Sequence, residues 1–131
     1  MMQTHPSDKP RIGITLGDLN GIGPEVVIKA LADHRLHNLM TPVIYGSTKA
    51  LSFYRKLMNL EEFNYNVVKT KGQFFPKAIN VVNCWEDMIE INPGQPSRQT
   101  AKAALLSLKK AVEEVKEGLI DGFVTGPIDK N

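Results

Sequence analysis

The chain is poor in the features that mark several specialised classes of protein. Its 131 residues contain one cysteine, Cys84, so an intrachain disulfide and zinc motifs built on paired cysteines are excluded, and a reducing compartment fits best. Sixteen Lys and Arg against fourteen Asp and Glu leave a net charge of +2 with no basic run, so we expect no nucleic-acid partner. No stretch reaches about 18 apolar residues and residues 1–10 hold no apolar run, so we expect no membrane anchor and a cytoplasmic location.

What the chain does have is an ordinary globular composition. Hydrophobic residues make up 42% and charged residues 23%, a balance that can bury a core and that excludes disorder, collagen-like repeats and coiled coils. The length fits one domain better than two. We expect residues 1–10 to form a flexible leader and residues 11–131 to form one compact unit.

Short β-branched runs alternate with helical patterns along the chain. The predicted strands cover residues 11–16, 42–45, 63–68, 78–82 and 119–125. The predicted helices begin at Pro24, cover residues 51–58, and run from the N-cap Ser97 to near Gly118. This alternation predicts an α/β fold with a layered, mostly parallel sheet and helices on both faces.

Two segments carry finer expectations. No helix-length segment separates residues 63–68 from residues 78–82, so this region is expected to be an antiparallel or extended excursion. The last helix is expected to face the core with one stripe, formed by Ala101, Ala104, Leu105, Leu108, Ala111, Val112 and Val115.

The sharpest local motif is the turn G-D-L-N-G-I-G-P-E, residues 17–25, between the first strand and the first helix. Its glycines let the backbone approach a ligand, and the helix start presents N–H groups, so an anion or a cofactor could bind there. The glycine spacing matches neither the Rossmann fingerprint nor the P-loop. An alternative stays open, in which the glycines only make a tight turn and Asp18 bonds the local backbone.

A second candidate loop, T-G-P-I-D-K at residues 125–130, follows the last predicted strand. It combines a hydroxyl, a carboxylate and an ammonium group at the edge of a parallel sheet that faces the ligand crevice. By its chemistry alone this loop could equally be an exposed segment without a role.

The remaining polar and aromatic clusters point to no chemistry. His34 and His37 have no further metal ligand nearby, so we expect solvated histidines. The adjacent glutamate pairs at residues 61–62 and 113–114 diverge and are interpreted as surface charge. Core or subunit packing is expected for the apolar group Phe74, Phe75, Cys84 and Trp85.

Both candidate loops match one family in order. R-I-G-I-T-L-G-D at residues 11–18, with G-I-G-P-E at residues 21–25, resembles the amino terminus of the 4-hydroxythreonine-4-phosphate dehydrogenases. G-L-I-D-G-F-V-T-G-P-I-D-K at residues 118–130 is similar to a later strand and loop of the same family, again after an Ala-rich helix. Members are much longer, so the resemblance implies that residues 11–131 are the amino-terminal part of a larger two-domain dehydrogenase, apparently truncated here.

The resemblance also implies a fold, a reaction and partners. The fold would be part of an isocitrate/isopropylmalate dehydrogenase-like architecture, and the enzyme a homodimer that uses NAD or NADP and a divalent metal. The metal-binding histidines would lie beyond Asn131, and none of His5, His34 and His37 inherits that role. The reaction would oxidise and decarboxylate a phosphorylated hydroxy-amino acid, 4-phosphooxy-threonine (4-hydroxythreonine 4-phosphate), to 3-amino-2-oxopropyl phosphate in vitamin B6 biosynthesis.

Site residues follow from the same resemblance, position by position. The cofactor would be bordered by Gly17, Asp18, Gly21, Ile22 and Gly23. The substrate would be approached by Thr125 and Lys130.

Departures from the family pattern leave other functions open. Members often carry Pro-Ala where this chain has Leu19 and Asn20, and Asn where it has Asp129, so a related substrate such as a 4-phosphothreonate remains possible. Isopropylmalate-type decarboxylating dehydrogenases share a shorter turn, G-D-G-I-G-P-E, and form the next alternative. A third is a non-catalytic binding or assembly remnant, which a reading frame continuing past Asn131 into several histidines would argue against.

Overall fold

The structure, a computed structural model, describes residues 9–60, 62–85, 90–95 and 97–126. Most of the expected leader, Glu61, the side chain of His34 and the loop residues after Gly126 lie outside this description. The elements follow in the order β1 Arg11–Thr15, α1 Gly23–Leu31, a 3-10 helix His34–Asn38, β2 Thr41–Gly46, α2 Thr48–Leu57, β3 Asn66–Val67, β4 Asn80–Asn83, α3 Arg98–Lys116 and β5 Gly122–Thr125. The strands form one sheet in the order β3-β4-β2-β1-β5, and every described pair is parallel.

Strand β2 separates two apolar layers. Ile44 packs with residues of α1 and α2 on one face, whereas Val43 and Tyr45 pack against α3 on the other. All six residues of β2 are buried, as expected for a strand covered on both sides. The predicted α/β fold with helices on both faces is therefore confirmed.

Antiparallel pairing, one of the two arrangements expected for residues 63–82, is wrong. β3 and β4 are adjacent but parallel, with Asn66 opposite Asn80 and Val67 opposite Val81. Residues 68–79 return the chain, without a helix, to the edge of the sheet where the strands begin. Within this segment, Phe74 packs on the face of the sheet that α3 covers. A parallel pair needs a crossover of roughly a dozen residues, and this irregular segment is long enough to provide it.

Helix α3 begins and ends where the sequence predicts, and its predicted inner stripe is correct in part, because Ala104 and Ala111 are buried whereas Ala101 is exposed. The Ser97 hydroxyl accepts from the N–H of Thr100 at 3.3 Å, and Gly118 takes a positive φ of 78° after the last turn. Leu105, assigned to the inner stripe, is 66% exposed. The buried residues are mostly small: Thr100, Ala103, Ala104, Ser107, Ala111 and Glu114. Small side chains let the helix approach the sheet beside the bulky Tyr45.

The surface role expected for the glutamate pair at 113–114 is wrong for one member. Glu114 is 1% exposed, and its Oε1 accepts a hydrogen bond from the Tyr45 hydroxyl at 2.8 Å. The Lys110 ammonium lies 3.8 Å from Oε2. The pair does diverge, because Glu113 is exposed. Among the aromatics, Phe74 is buried as expected, whereas Phe75 is 60% exposed.

We predict that the chain loses stability at alkaline pH. Burial, with the hydrogen bond to Glu114, raises the pKa of Tyr45, and burial raises the pKa of the Cys84 thiol to about 12. In the unfolded chain both groups ionise at about pH 8.5 to 10. As pH rises through that range and beyond it, the unfolded chain releases these protons while the folded chain keeps them. The free energy of unfolding therefore falls as pH rises.

Urea unfolding from about pH 8 to pH 11 measures this loss. Cys84→Ala should remove the part of the stability loss that develops at the lower pH values. Tyr45→Phe should remove the part that develops at the higher ones. A free energy of unfolding that stays constant over this range would contradict the prediction.

Candidate functional site

The carboxyl ends of parallel strands meet at one edge of the sheet, and β1 and β5 end there side by side. Thr15 lies opposite Thr125 in the register of the two strands. The chain leaves β1 toward β2 on one side, while β5 lies on the other side of β1. This change of direction makes a switch point, the place where open α/β sheets bind ligands.

The second candidate loop contacts the end of β1, just before the glycine turn, at this switch point. The N–H of Gly126 donates to the carbonyl of Thr15 at 2.7 Å. A Cβ atom on Gly126 would lie 2.6 Å from the carbonyl oxygen of Leu16, a distance that only glycine avoids. The predicted cofactor turn and the exposed Thr125 therefore share one edge. Lys130 lies outside the described residues.

Local hydrogen bonds within the glycine turn contribute to its shape. Gly17 has a positive φ of 74°, Asp18 Oδ1 accepts from the N–H of Asn20 at 2.9 Å, and the Asp18 carbonyl accepts from the N–H of Gly21 at 2.9 Å. The local role that the sequence left open for Asp18 is thus present. It leaves the outer side of the turn accessible, where Ile22 is 66% exposed.

Helix α1 starts differently from the two other long helices. Ser47 and Ser97 cap α2 and α3 by accepting from N–H groups of the first turn. Ile22, at the N-cap of α1, makes no side-chain cap hydrogen bond, and Pro24 supplies no N–H. The first turn of α1 therefore has no side-chain cap, and uncapped N–H groups at a helix start suit a negatively charged group, although Gly23 itself is buried.

Two residues that the sequence interpretation treated only as departures prove to anchor the turn. Leu19 is 1% exposed and Asn20 is 3% exposed. The Tyr54 hydroxyl donates to the carbonyl of Leu19, and burial first, then the charges of Glu25 and Asp18, raise the pKa of Tyr54, so this donor stays protonated.

The Asn20 side chain reaches the segment that leads into α3. Its Nδ2 donates to the carbonyl of Gln95 at 2.6 Å, and its Oδ1 accepts from the N–H of Asn92 at 2.8 Å. These partners follow Asn20 by more than seventy residues. No local sequence pattern signals such a contact, so reasoning from the sequence missed it.

The described part of the chain contains no candidate metal-binding site. Residues 9–60, 62–85, 90–95 and 97–126 hold no group of three or more His, Cys, Asp or Glu side chains that could bind a metal ion. The ring Nε2 of His37 lies 3.1 Å from the carbonyl oxygen of Leu31, at the end of α1 away from the glycine turn. The donor set present therefore does not fit a metal.

Three surface grooves are lined by residues of α1, α2, β3 and the turns near them, and none of the three includes residues 17–23 or Thr125.

In the part of the chain that is described, no helix has both the length and the apolarity to span a membrane.

Comparisons with known proteins agree on one family. The family described as "Pyridoxal phosphate biosynthetic protein PdxA" matches residues 38–131. The chain is 42% identical over 124 residues to a 4-hydroxythreonine-4-phosphate dehydrogenase of Bacteroides thetaiotaomicron, covering 95% of this chain and 34% of that protein. It is 33% identical over 127 residues to a protein of Clostridium botulinum named as a candidate D-threonate 4-phosphate dehydrogenase, covering 95% of this chain and 38% of that one.

Solved structures give the same answer. The crystal structure of a 4-hydroxythreonine-4-phosphate dehydrogenase from Burkholderia phymatum matches with a TM-score of 0.76 and 29% identity, over 93% of this chain and 37% of that one. The enzyme of the same name from Klebsiella pneumoniae matches with a TM-score of 0.71 and 27% identity, over 93% and 38%.

The chain thus spans about a third of the length of the relatives it matches. The matches confirm the predicted fold, an isocitrate/isopropylmalate dehydrogenase-like architecture, and the resemblance first noted in its two loops. On both grounds, the chain belongs to the PdxA family of pyridoxal phosphate biosynthetic proteins.

Proposed function

We propose that this chain is the amino-terminal third of a nicotinamide-dependent dehydrogenase that oxidises and decarboxylates 4-hydroxythreonine 4-phosphate to 3-amino-2-oxopropyl phosphate. Family membership and the relative with 42% identity support the assignment. The observation that carries it is the contact of the second loop with the end of β1, where the Gly126 N–H donates to the Thr15 carbonyl at 2.7 Å. The contact joins both family motifs at one ligand-binding edge.

Under this proposal the glycine turn borders the cofactor. Gly17, Gly21 and Gly23 would keep the backbone free of side chains beside it, Asp18 would hold the turn in shape, and the exposed Ile22 would offer apolar contact. The turn fits a phosphate-bearing cofactor because the start of α1 lacks a side-chain cap. NAD or NADP would accept the hydride from the substrate alcohol.

The substrate side would be formed by the second loop. Thr125 is exposed at the end of β5, directly opposite the end of β1, so its hydroxyl is available for a hydrogen bond. Lys130 would balance the charge of a phosphate or carboxylate. Metal ligands and the opposite wall of the cleft would come from the remainder of a homodimeric, cytoplasmic two-domain enzyme.

A second substrate is favoured by a specific observation. Relatives at 32% to 33% identity are named as candidate D-threonate 4-phosphate dehydrogenases. Because 4-hydroxythreonine 4-phosphate and D-threonate 4-phosphate share the phosphate, the carboxylate and a secondary alcohol, residues that bind those groups do not distinguish them.

The test uses the intact enzyme, meaning the whole protein to which we propose that this chain belongs. With a divalent metal and NAD⁺ or NADP⁺, reduction of the nicotinamide should be seen with 4-hydroxythreonine 4-phosphate and be weaker with D-threonate 4-phosphate. The reverse order would establish the second candidate. No reduction with either substrate would overturn the proposal.

We predict that Lys130→Ala in the intact enzyme raises KM or lowers kcat at least about tenfold, because an ammonium charge beside the substrate anion is lost. The matched control is Lys116→Ala, which removes an exposed lysine from the last turn of α3. Steady-state kinetics of the two variants measure the effect. Near-normal kinetics for Lys130→Ala would rule out a direct role.

A further inference from the structure

We propose that Asn20 is a positioning residue, which shapes the cofactor turn by tying it to residues 92–95 and to the first turn of α3. The inference rests on the proposed function, since it concerns how tightly the same edge binds its nicotinamide cofactor. Asn20 itself makes no contact with the ligand, because its side chain is buried and points into the protein.

The geometry of the tie uses both ends of the amide. Nδ2 donates to Gln95 O at 2.6 Å and to Thr100 Oγ1 at 3.4 Å, while Oδ1 accepts from Asn92 N at 2.8 Å. The backbone carbonyl of Asn20 also accepts from Gly94 N at 2.7 Å. One residue thus connects the glycine turn to a second loop and to the start of a helix.

Only an amide of this length satisfies these partners. Alanine would leave the Asn92 N–H and the Gln95 carbonyl without their protein partner. Aspartate would keep the acceptor for Asn92, but it has no donor for Gln95 and would place a carboxylate against a carbonyl oxygen. The hydrogen-bonding pattern therefore selects asparagine at this position.

The hydrogen bonds of Asn20 affect function because they determine whether the turn is ordered before the cofactor binds or during binding. With the tie in place, the turn is held in one shape before the ligand arrives. Without it, residues 17–23 and 92–95 must be ordered during binding, and that cost appears as weaker affinity. The reacting groups lie elsewhere, so kcat is little affected.

Asn80 provides a matched control. Its side chain is 0% exposed, donates to the carbonyls of Phe75 and Ala78 at 3.0 and 3.1 Å, and accepts from Phe75 N at 2.9 Å. Asn80 begins β4, so it holds a loop at the opposite edge of the sheet. Removing its amide damages stability in the same way without touching the proposed ligand edge.

The experiment compares Asn20→Ala, Asn20→Asp and Asn80→Ala in the intact enzyme, at a temperature well below all unfolding midpoints. Both Asn20 variants should raise KM for the nicotinamide cofactor about tenfold and leave kcat within about twofold. Asn80→Ala should lower the unfolding midpoint by about as much as Asn20→Ala does, but it should leave KM for the cofactor unchanged. Equal KM for Asn20→Ala and Asn80→Ala would overturn the inference.

Hydrogen exchange gives a readout that does not depend on turnover. Asn20→Ala should speed exchange at the amides of Asn92 and Gly94, and Asn80→Ala should not. Unchanged exchange at both amides would also overturn the inference. If the unmodified enzyme reduces neither nicotinamide with either substrate, the proposed function fails first; a normal KM in an active Asn20→Ala enzyme defeats this inference alone.

Discussion

Replacing Gly126 by alanine is expected to lower the free energy of unfolding by about 3 kcal/mol, at the upper end of the usual loss from overpacking. The added Cβ would lie 2.6 Å from the carbonyl oxygen of Leu16 and 2.8 Å from its carbonyl carbon. Both atoms belong to the backbone, so rotation of a side chain cannot relieve the clash. The end of β5 would have to move away from β1, and the 2.7 Å bond from Gly126 N to the Thr15 carbonyl would break.

Gly122→Ala is the matched control for this prediction. It makes the same change at the first residue of β5, but a Cβ atom there meets nothing within 4 Å. It should be neutral, or stabilising by up to about 1 kcal/mol through the lower entropy of the unfolded chain. Urea unfolding of both variants followed by circular dichroism measures the difference, and equal stabilities would contradict the close approach of Gly126 to the end of β1.

The second large effect is expected for Tyr45→Phe, with a loss of about 2 kcal/mol in the free energy of unfolding. The substitution keeps the ring, which is 0% exposed, and removes the hydroxyl that donates to Glu114 at 2.8 Å. The carboxylate stays buried with Lys110 at 3.8 Å as its remaining charged neighbour. The cost is therefore mainly that of a buried acceptor left without its donor.

Two further variants separate this cost from packing. Glu114→Gln keeps an acceptor for the Tyr45 hydroxyl and should lose less than Tyr45→Phe. The double variant Tyr45→Phe/Glu114→Met removes both polar partners and should recover much of the stability, because replacing both members of a buried pair by apolar groups can be nearly neutral. The single variant Glu114→Met completes a double-mutant cycle, in which additive losses would show that the two side chains are not coupled.

Local sequence signals predicted the elements with good accuracy where their cause is local. Pro24 marks the start of α1, and Ser97 and Gly118 mark the ends of α3, because capping depends on neighbours in the chain. The glycine turn after β1 was identified for the same reason.

The errors share a different cause. The parallel pairing of β3 and β4 depends on the path of residues 68–79 across the sheet, and no local pattern specifies that path. The sequence predicts surface charge for Glu114 because its buried hydrogen-bond partner, Tyr45, lies 69 residues earlier in the chain. Leu105 is apolar at a suitable helical position, yet it is exposed, because which residues of α3 meet the sheet depends on how the helix packs and not on the helical spacing alone.

By itself the sequence determined the α/β class, the order of strands and helices, the two motif loops and the family they resemble, since each of these is written in contiguous residues. Only the tertiary structure decided that Gly126 lies against the end of β1, that Asn20 ties the first loop to residues 92–95, and that Glu114 is buried. Those outcomes depend on backbones and polar atoms brought together from distant parts of the chain, and hydrogen bonding and close packing act on that proximity.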